Sequence, residues 1–87
     1  MHELSIALSL IDTVCEELPK LGSDVSVRTI RVRVGPLSGV VPRALAFAFD
    51  VAVADSPLVG ARLEIEEAEG RDLQLAAVEI VDGAADC

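Results

Sequence analysis

The fold is decided by Val25-Ser26-Val27-Arg28-Thr29-Ile30-Arg31-Val32-Arg33-Val34. Ile30, Val32 and Val34 alternate with Arg31 and Arg33, and this period of two predicts a β-strand over residues 27–34 with one buried face. Val25 and Val27 stand in the opposite phase, so we expect a bulge near Arg28 and Thr29. The three arginines are the only basic cluster of an acidic chain. We interpret them as partners for acidic residues on neighbouring strands, with docking of a partner protein as the weaker alternative.

An amphipathic helix precedes this strand. Its apolar residues recur at intervals of three and four: Leu4, Ala7, Leu8, Ile11, Val14, Cys15 and Leu18. This spacing places them on one helical face, which we interpret as core. Glu3 lies in the first turn, where a negative charge suits the helix dipole, and Pro19 and Gly22 predict the end of the helix.

A second amphipathic helix follows, after a loop rich in glycine and proline. Pro42 suits its first position, since an N–H group would be unpaired there anyway, and the turn at 55–57 predicts an end near Ala54. We place both aromatic residues of this helix, Phe47 and Phe49, in the core. The apolar stripe consists of Leu45, Ala48, Phe49, Ala52 and Val53.

Two more strands are predicted in the last third of the chain. Leucine and isoleucine alternate with Glu64 and Glu66 in the second strand, and the third strand shifts its phase near Ala76 and Ala77. Because only the short turn 69–72 separates them, we predict that they form an antiparallel hairpin. The apolar residues of the third strand are Leu73, Leu75, Val78 and Ile80.

The order helix, strand, helix, strand, strand predicts the fold class. A right-handed crossover makes the first two strands parallel. If the third strand pairs with both, it lies between them, and the sheet order is 1-3-2. We therefore predict an α+β, two-layer domain with two helices on one face of a three-stranded mixed sheet.

Composition limits the function. The 87 residues suffice for one domain, and a hydrophobic content of 52% excludes a disordered tail. The net charge of −8 and the absence of Trp and Tyr argue against nucleic-acid binding, which uses basic surfaces and aromatic stacking. No apolar run could cross a bilayer and no signal peptide is apparent, so we expect a cytoplasmic protein. Cys15 and Cys87 form no Cys-x-x-Cys pair, so no zinc site is expected.

The first three residues, Met1-His2-Glu3, are the best candidates for metal ligands. His2 is the only histidine of the chain. A terminal amine, an imidazole and the backbone nitrogens between them can converge on one cation, and such square-planar nitrogen sets suit Ni(II) or Cu(II). The ordinary alternative is a solvated histidine at a chain terminus.

Catalysis has little support in the sequence. We find no Ser-His-Asp or Cys-His arrangement and no phosphate-binding loop, so we predict no catalytic residues and no enzyme. Alternation along the second strand places Glu64 and Glu66 on the solvent side. We therefore interpret the acidic cluster of Glu64, Glu66, Glu67 and Glu69 as a solvated face.

Three blocks of the sequence show a family likeness. They are Met1-His2-Glu3-Leu4-Ser5-Ile6-Ala7, then Val34-Gly35-Pro36-Leu37-Ser38-Gly39-Val40-Val41-Pro42, then Leu63-Glu64-Ile65-Glu66-Glu67. These blocks resemble the HypA/HybF family of nickel metallochaperones, which act in NiFe hydrogenase maturation. The likeness covers residues 1–67, and residues 73–81 resemble the closing strand of the family.

The resemblance implies a nickel-binding accessory protein for hydrogenase maturation. In the family, nickel is held around the histidine that follows the initiator methionine. Transient Ni(II) binding here would use the α-amine of Met1, the imidazole of His2 and the backbone amides of His2 and Glu3. The implied partners are the maturation GTPase HypB and the hydrogenase large subunit.

Two departures from the family pattern qualify this expectation. The family has a zinc module, built on two Cys-x-x-Cys pairs, between strands two and three. Here we expect one domain, 1–87, in which a tight hairpin turn near 69–72 replaces that module and no zinc is bound. Arg43 also stands where the family commonly has an acidic residue.

Two other interpretations stay open. The chain could be a non-metal interaction module that docks on the hydrogenase large subunit or the maturation GTPase. It could also be a regulatory or structural subunit that retains only the fold. The exposed edge of the hairpin leaves homodimerisation open as well.

Overall fold

The computed structural model describes residues 2–21 and 25–82. It confirms the predicted α+β class, with two helices on one face of a three-stranded mixed sheet. No helix in these two ranges is both long and apolar enough to cross a membrane. The elements in chain order are α1 (His2–Glu17), a 3-10 helix (Leu18–Leu21), β1 (Val25–Val34), α2 (Pro42–Ala54), β2 (Arg62–Glu67) and β3 (Leu73–Asp82).

The core lies between the two helices and the helix-facing side of the sheet. Helix α1 contributes Ala7, Ile11 and Val14, which share one line along the helix. Leu8, which we predicted to be core, is 47% exposed, because it lies at the border of the apolar stripe rather than on that line. The largest fully buried side chains are Phe49, Ile30, Leu45 and Val32.

The predicted sheet order 1-3-2 is wrong. Strand β1 lies in the centre, parallel to β2 on one side and antiparallel to β3 on the other. The central position suits β1 because its ten residues include the fully buried Ile30 and Val32. Strand β2 has only six residues. Its half-buried Leu63 and Ile65 alternate with the exposed Arg62, Glu64 and Glu66, and a short strand with this pattern suits an edge.

The connection between β2 and β3 is a crossing and not the predicted hairpin turn. It passes the end of β1, where the N–H of Ala68 donates to the Val34 carbonyl at 3.1 Å and the N–H of Gly35 donates to the Asp72 carbonyl at 2.7 Å. Stepping over one strand covers two strand spacings, about 9.6 Å, which the residues 68–72 span easily. A short connection therefore does not force the strands that it joins to pair.

Glycine is required at position 35 because the crossing lies directly against it. A Cβ atom on Gly35 would meet the carbonyl oxygens of Glu69 and Gly70. The N–H of Leu37 donates to the Gly70 carbonyl at 2.7 Å, and Gly70 has a φ of 59°, which favours glycine. The segment after β1 thus fixes the position of the crossing.

Both predicted strand irregularities are confirmed. The register between β1 and β3 shifts between Val27 and Thr29, and it shifts again where Ala76 is left without a partner. These bulges keep the apolar residues of β3 on the helix-facing side of the sheet. The facing pairs are Val34 with Leu73, Val32 with Leu75, Ile30 with Val78 and Val27 with Ile80.

Candidate metal site at the start of α1

His2 is the first residue of α1, and its side chain is exposed. It lines a groove of about 440 Å³ between α1 and β3. Met1, the other predicted side of the metal site, lies outside the described residues. Because the His2 side chain is exposed, its imidazole is accessible to an incoming ion. The residues that line the groove are His2, Ser5, Ile6, Ser9, Leu10, Thr13, Val32, Leu73, Gln74 and Leu75.

The side chain of Glu3 connects the starts of the two helices. Its Oε2 accepts a hydrogen bond of 3.3 Å from the N–H of Val41, the residue immediately before α2. The carboxylate also accepts the N–H of Glu3 itself. Because both donors stabilise the charged form, first the N–H of Glu3 and then that of Val41, they lower the pKa of the Glu3 carboxyl group. The Glu3 side chain thus has a structural role.

The backbone at the start of α1 places nitrogen atoms near His2. The first four N–H groups of an α-helix have no acceptor in a preceding turn, so their nitrogens are outside the helical hydrogen-bond ladder. Within residues 2–21 and 25–82, no group of three or more His, Cys, Asp and Glu side chains could hold a metal ion. A metal site at this place therefore needs backbone nitrogens, with His2 as its side-chain donor.

An exposed apolar surface crosses the outer side of the helices, and sequence reasoning missed it. Phe49 is fully buried as predicted, but Phe47 is 72% exposed, so its predicted core position is wrong. Residues two apart on an α-helix differ by about 200° in direction, which prevents both rings from facing the core. We call this surface the helix patch. It consists of the exposed Leu8, Phe47 and Val51 together with the half-buried Leu4.

The helix patch lies beside the candidate metal site. A depression of about 270 Å³ is bordered by Leu4, Phe47 and Val51, and Glu3 also borders it. The signal that could have revealed this surface was present in the sequence, because Phe47 lies outside the apolar stripe of α2 at helical spacing. The contact between Glu3 and Val41 had no such signal, since 38 positions separate the two residues.

The arginine face of the sheet is a solvated ion-pair surface. Arg31 donates to Glu64 Oε1 at 2.9 Å and 3.2 Å, and its Nε lies 3.5 Å from Glu66 Oε2. This pairing confirms the predicted role for Arg31, and the hydrogen bonds that Arg31 donates to Glu64 are the main cause that raises the pKa of Arg31. Across the described parts of the chain, Arg28 and Arg33 have no ion pair within 4.0 Å. The exposed glutamates of β2 fit the predicted solvated face.

Cys15 is partly buried and packs against the core. Burial, followed by the negative charge of Asp12, raises the pKa of its thiol. A raised thiol pKa keeps the group protonated at neutral pH, and the thiolate is the form that binds metals. This partial burial agrees with the predicted position of Cys15 on the apolar face of α1, whereas Cys87 lies outside the described residues.

Comparison with known proteins places these features in a family. Residues 1–79 match the family model described as "Hydrogenase/urease nickel incorporation, metallochaperone, hypA". The chain is 46% identical over 71 residues to the hydrogenase maturation factor HypA of Streptomyces avermitilis, a match covering 82% of this chain and 54% of that protein. It is 55% identical over 67 residues to the HypA of a Roseiflexus species, a match covering 77% of this chain and 54% of that protein.

A solved structure shows the same fold. The solution structure of the Ni metallochaperone HypA from Helicobacter pylori superposes with a TM-score of 0.63 at 20% identity, over 93% of this chain and 87% of that chain. The chain spans about half the length of the curated relatives it matches. Since the family model matches nearly the whole sequence, the chain belongs to the HypA family.

Proposed function

We propose that this chain is a nickel-binding accessory protein for NiFe hydrogenase maturation and that it binds Ni(II) at the start of α1. The observation that carries the proposal is the exposed His2 on the first turn of α1, inside the segment that matches the family model. The relatives are named hydrogenase maturation factors, and the family description names nickel incorporation. Nickel is here the cargo, bound transiently and passed on.

Four nitrogen atoms would hold the ion. They are the α-amine of Met1, the imidazole nitrogen of His2 and the deprotonated backbone amides of His2 and Glu3. Such a set suits a square-planar Ni(II) ion. An open site at the end of a helix also permits release, because the ligands are not enclosed by the core.

Nickel binding at this site would compete with the local hydrogen bond of Glu3. The amide proton of Glu3 is held by its own carboxylate, so coordination through that nitrogen removes one of the two donors to the carboxylate. The hydrogen bond from the N–H of Val41 to this carboxylate would be kept. Binding releases protons from the amine, the imidazole and the amides, and it therefore weakens as the pH falls.

The partners that we propose are a HypB-like maturation GTPase and the hydrogenase large subunit, which meet the chain in the cytoplasm. We propose no zinc site, because the 87 residues contain no Cys-x-x-Cys pair. The residues 68–72 would take the place of the zinc module between β2 and β3. In the structure, this segment crosses the end of β1.

The second candidate function is a docking module that binds the same partners without metal. The helix patch favours it, since Phe47 is 72% exposed and Val51 is 54% exposed next to Leu4. Exposed apolar surfaces of this kind commonly mark sites of protein interaction. The two candidates differ in whether His2 or Phe47 is essential for maturation.

A nickel titration of the untagged chain tests the carrier function. We expect saturable binding with the absorption spectrum of square-planar Ni(II), and we expect it to be lost when one residue is added before Met1. His2→Ala should abolish binding as well. Ser9→Ala serves as the matched control, because Ser9 is exposed on the same helix and lines the same groove.

Maturation assays separate the two candidates. If the chain is a carrier, His2→Ala abolishes both nickel binding and hydrogenase maturation, while the Ser9→Ala control retains both. If His2→Ala retains maturation and Phe47→Ser loses it, the docking module is correct and the carrier is excluded. Absence of nickel binding by the untagged natural chain would also exclude the carrier.

A further inference from the structure

The outer edge of β3 is the most exposed apolar feature of the sheet. Strand β3 pairs with β1 along one side, and no strand within residues 25–82 lies along its other side. Three large side chains of β3 remain more than a third exposed: Leu73 at 39%, Leu75 at 37% and Ile80 at 40%. A long apolar edge with unpaired N–H and C=O groups is a template for pairing with another chain.

The opposite edge of the sheet has features that block such pairing. Strand β2 is six residues long, and it exposes Arg62, Glu64 and Glu66. Short, charged edge strands resist the addition of another strand. A contact between sheets would therefore form through β3.

We propose that a second copy of this chain pairs with β3, antiparallel about a two-fold axis, to form a continuous six-stranded sheet. The inference goes beyond the proposed nickel function and does not depend on it. Because a two-fold axis relates the copies, each cross-strand pair occurs twice. The register makes three pairs: Leu73 with Ile80, Gln74 with Glu79, and Leu75 with Val78.

This register brings every apolar, helix-facing residue of β3 opposite another. Because of the bulge at Ala76, the helix-facing residues Leu73, Leu75, Val78 and Ile80 are separated by two, three and two positions. This spacing is identical when the strand direction is reversed. An antiparallel copy therefore continues the apolar face without interruption. The two small residues Ala76 and Ala77 lie at the axis, where they permit the closest approach.

The backbone of β3 satisfies the same register. The four helix-facing residues occupy alternate steps of the ladder with β1, so their N–H and C=O groups all point to one edge of β3. In the proposed register, the helix-facing residues pair only with helix-facing residues, and Gln74 pairs with Glu79 on the opposite face of the sheet. The N–H groups on the outer edge of one β3 strand therefore lie opposite the C=O groups on the outer edge of the other.

The charges on the opposite face of the sheet are compatible with this pairing. Gln74 is neutral, so it can donate a hydrogen bond to Glu79 of the second copy without opposing a like charge. Arg33 stands beside Gln74 in the register and has no ion pair within the described ranges. Glu79 of the second copy would lie two strand spacings from Arg33, about 9.6 Å, which two extended side chains can bridge.

The dimer should be weak and sensitive to salt. Each copy has a net charge of −8, and repulsion between the copies falls as salt screens it. A single strand pair also buries less surface than a permanent interface does. We therefore expect a reversible equilibrium between monomer and dimer that shifts toward the dimer as the salt concentration rises.

Sedimentation equilibrium on the metal-free natural chain tests the proposal. Gln74→Glu places two glutamates opposite each other twice in the dimer, and we expect it to weaken the dimer by about 2- to 30-fold. Gln74→Lys, which opposes unlike charges, should strengthen the dimer. The double variant Gln74→Glu with Glu79→Gln restores the original pair with the two residues exchanged, and it should restore the natural affinity.

Arg62→Gln is the matched control, because it changes the net charge by the same amount as Gln74→Glu but lies on β2. We expect it to leave the dimer within about twofold of the natural affinity. A chain that is monomeric at about 1 mM would overturn the proposal, and pairing of β3 with a segment of another protein would then be the remaining occupant. A dimer that ignores Gln74→Glu, or that the double variant does not restore, would place the interface elsewhere and also overturn it.

Discussion

The two strands beside β1 show the same alternating sequence pattern but lie in different environments. In β2, Leu63 and Ile65 pack against the core, and α2 lies against the strand. In β3, Leu75 and Ile80 point to the same side of the sheet but stay more than a third exposed. The comparison teaches that alternation identifies the apolar side of a strand, whereas the overlying helices determine whether that side is buried.

The largest expected effect comes from disturbing the crossing that separates β2 from β3. We expect Gly35→Ala to lower the free energy of unfolding by about 1–3 kcal/mol, because the new methyl group would collide with the Glu69 and Gly70 carbonyls. Urea unfolding measures the loss. Leu37→Ala is the control, since the exposed side chain is removed while its N–H group is kept, and its effect should stay within about 0.5 kcal/mol. Equal effects of the two variants would show that the crossing is not held against Gly35.

A matched pair of isoleucines tests the difference in burial between the two strands. Ile65→Ala should destabilise the chain by about 2 kcal/mol, because Ile65 packs against the core. Ile80→Ala should cost less than about 1 kcal/mol, because Ile80 is 40% exposed. Both values come from urea unfolding at low protein concentration, where a weak dimer dissociates. Equal losses would contradict the unequal covering of β2 and β3.

The hydrogen bond from the N–H of Val41 to the Glu3 carboxylate joins the starts of the two helices. The pKa of Glu3 is lowered in the folded chain, so its ionised form stabilises the fold above its ordinary value of 4.5. This contribution is lost as the pH falls through the lower, folded-state pKa. Glu3→Gln should therefore be less stable than the natural chain at about pH 7, and the difference should shrink toward about pH 3.

Unfolding experiments at several pH values measure this difference for Glu3→Gln. Glu16→Gln removes the same charge from an exposed position of α1 and serves as the control. A gap between natural chain and Glu3→Gln that stays constant, or widens, as the pH falls would contradict the role of the Glu3 carboxylate between the helix starts.

The sequence was sufficient to predict the elements, the fold class and both bulges, because each of these depends on local periodicity. The sheet order was not predictable in the same way. Periodicity says which face of a strand is apolar, but it does not say which strand is its neighbour. The five residues 68–72 are short enough for a hairpin and also long enough to step across β1, so loop length left the two arrangements open.

The candidate site was predictable only in part. His2 and Glu3 could be chosen because a terminal nitrogen set has recognisable chemistry and because the start of the chain resembles a family motif. The bond from Val41 to Glu3 depends on how α2 packs against α1, and no local pattern encodes that contact. Phe47 was misplaced because an aromatic residue in a helix was assigned to the core without regard to its direction from Phe49.

The smallest expected effect is a difference in stability between variants of two arginines on the solvent face of β1. Arg31 pairs with Glu64 and Glu66 on β2, whereas Arg33 lies beside the neutral Gln74 on β3. Arg31→Gln should therefore lower the stability slightly more than Arg33→Gln at low salt. Exposed ion pairs are screened, so the difference should vanish near 1 M salt, where the Debye length is about 3 Å. A difference that persists at high salt would mean that the stem of Arg31, and not its charge, stabilises the sheet through packing across β1 and β2.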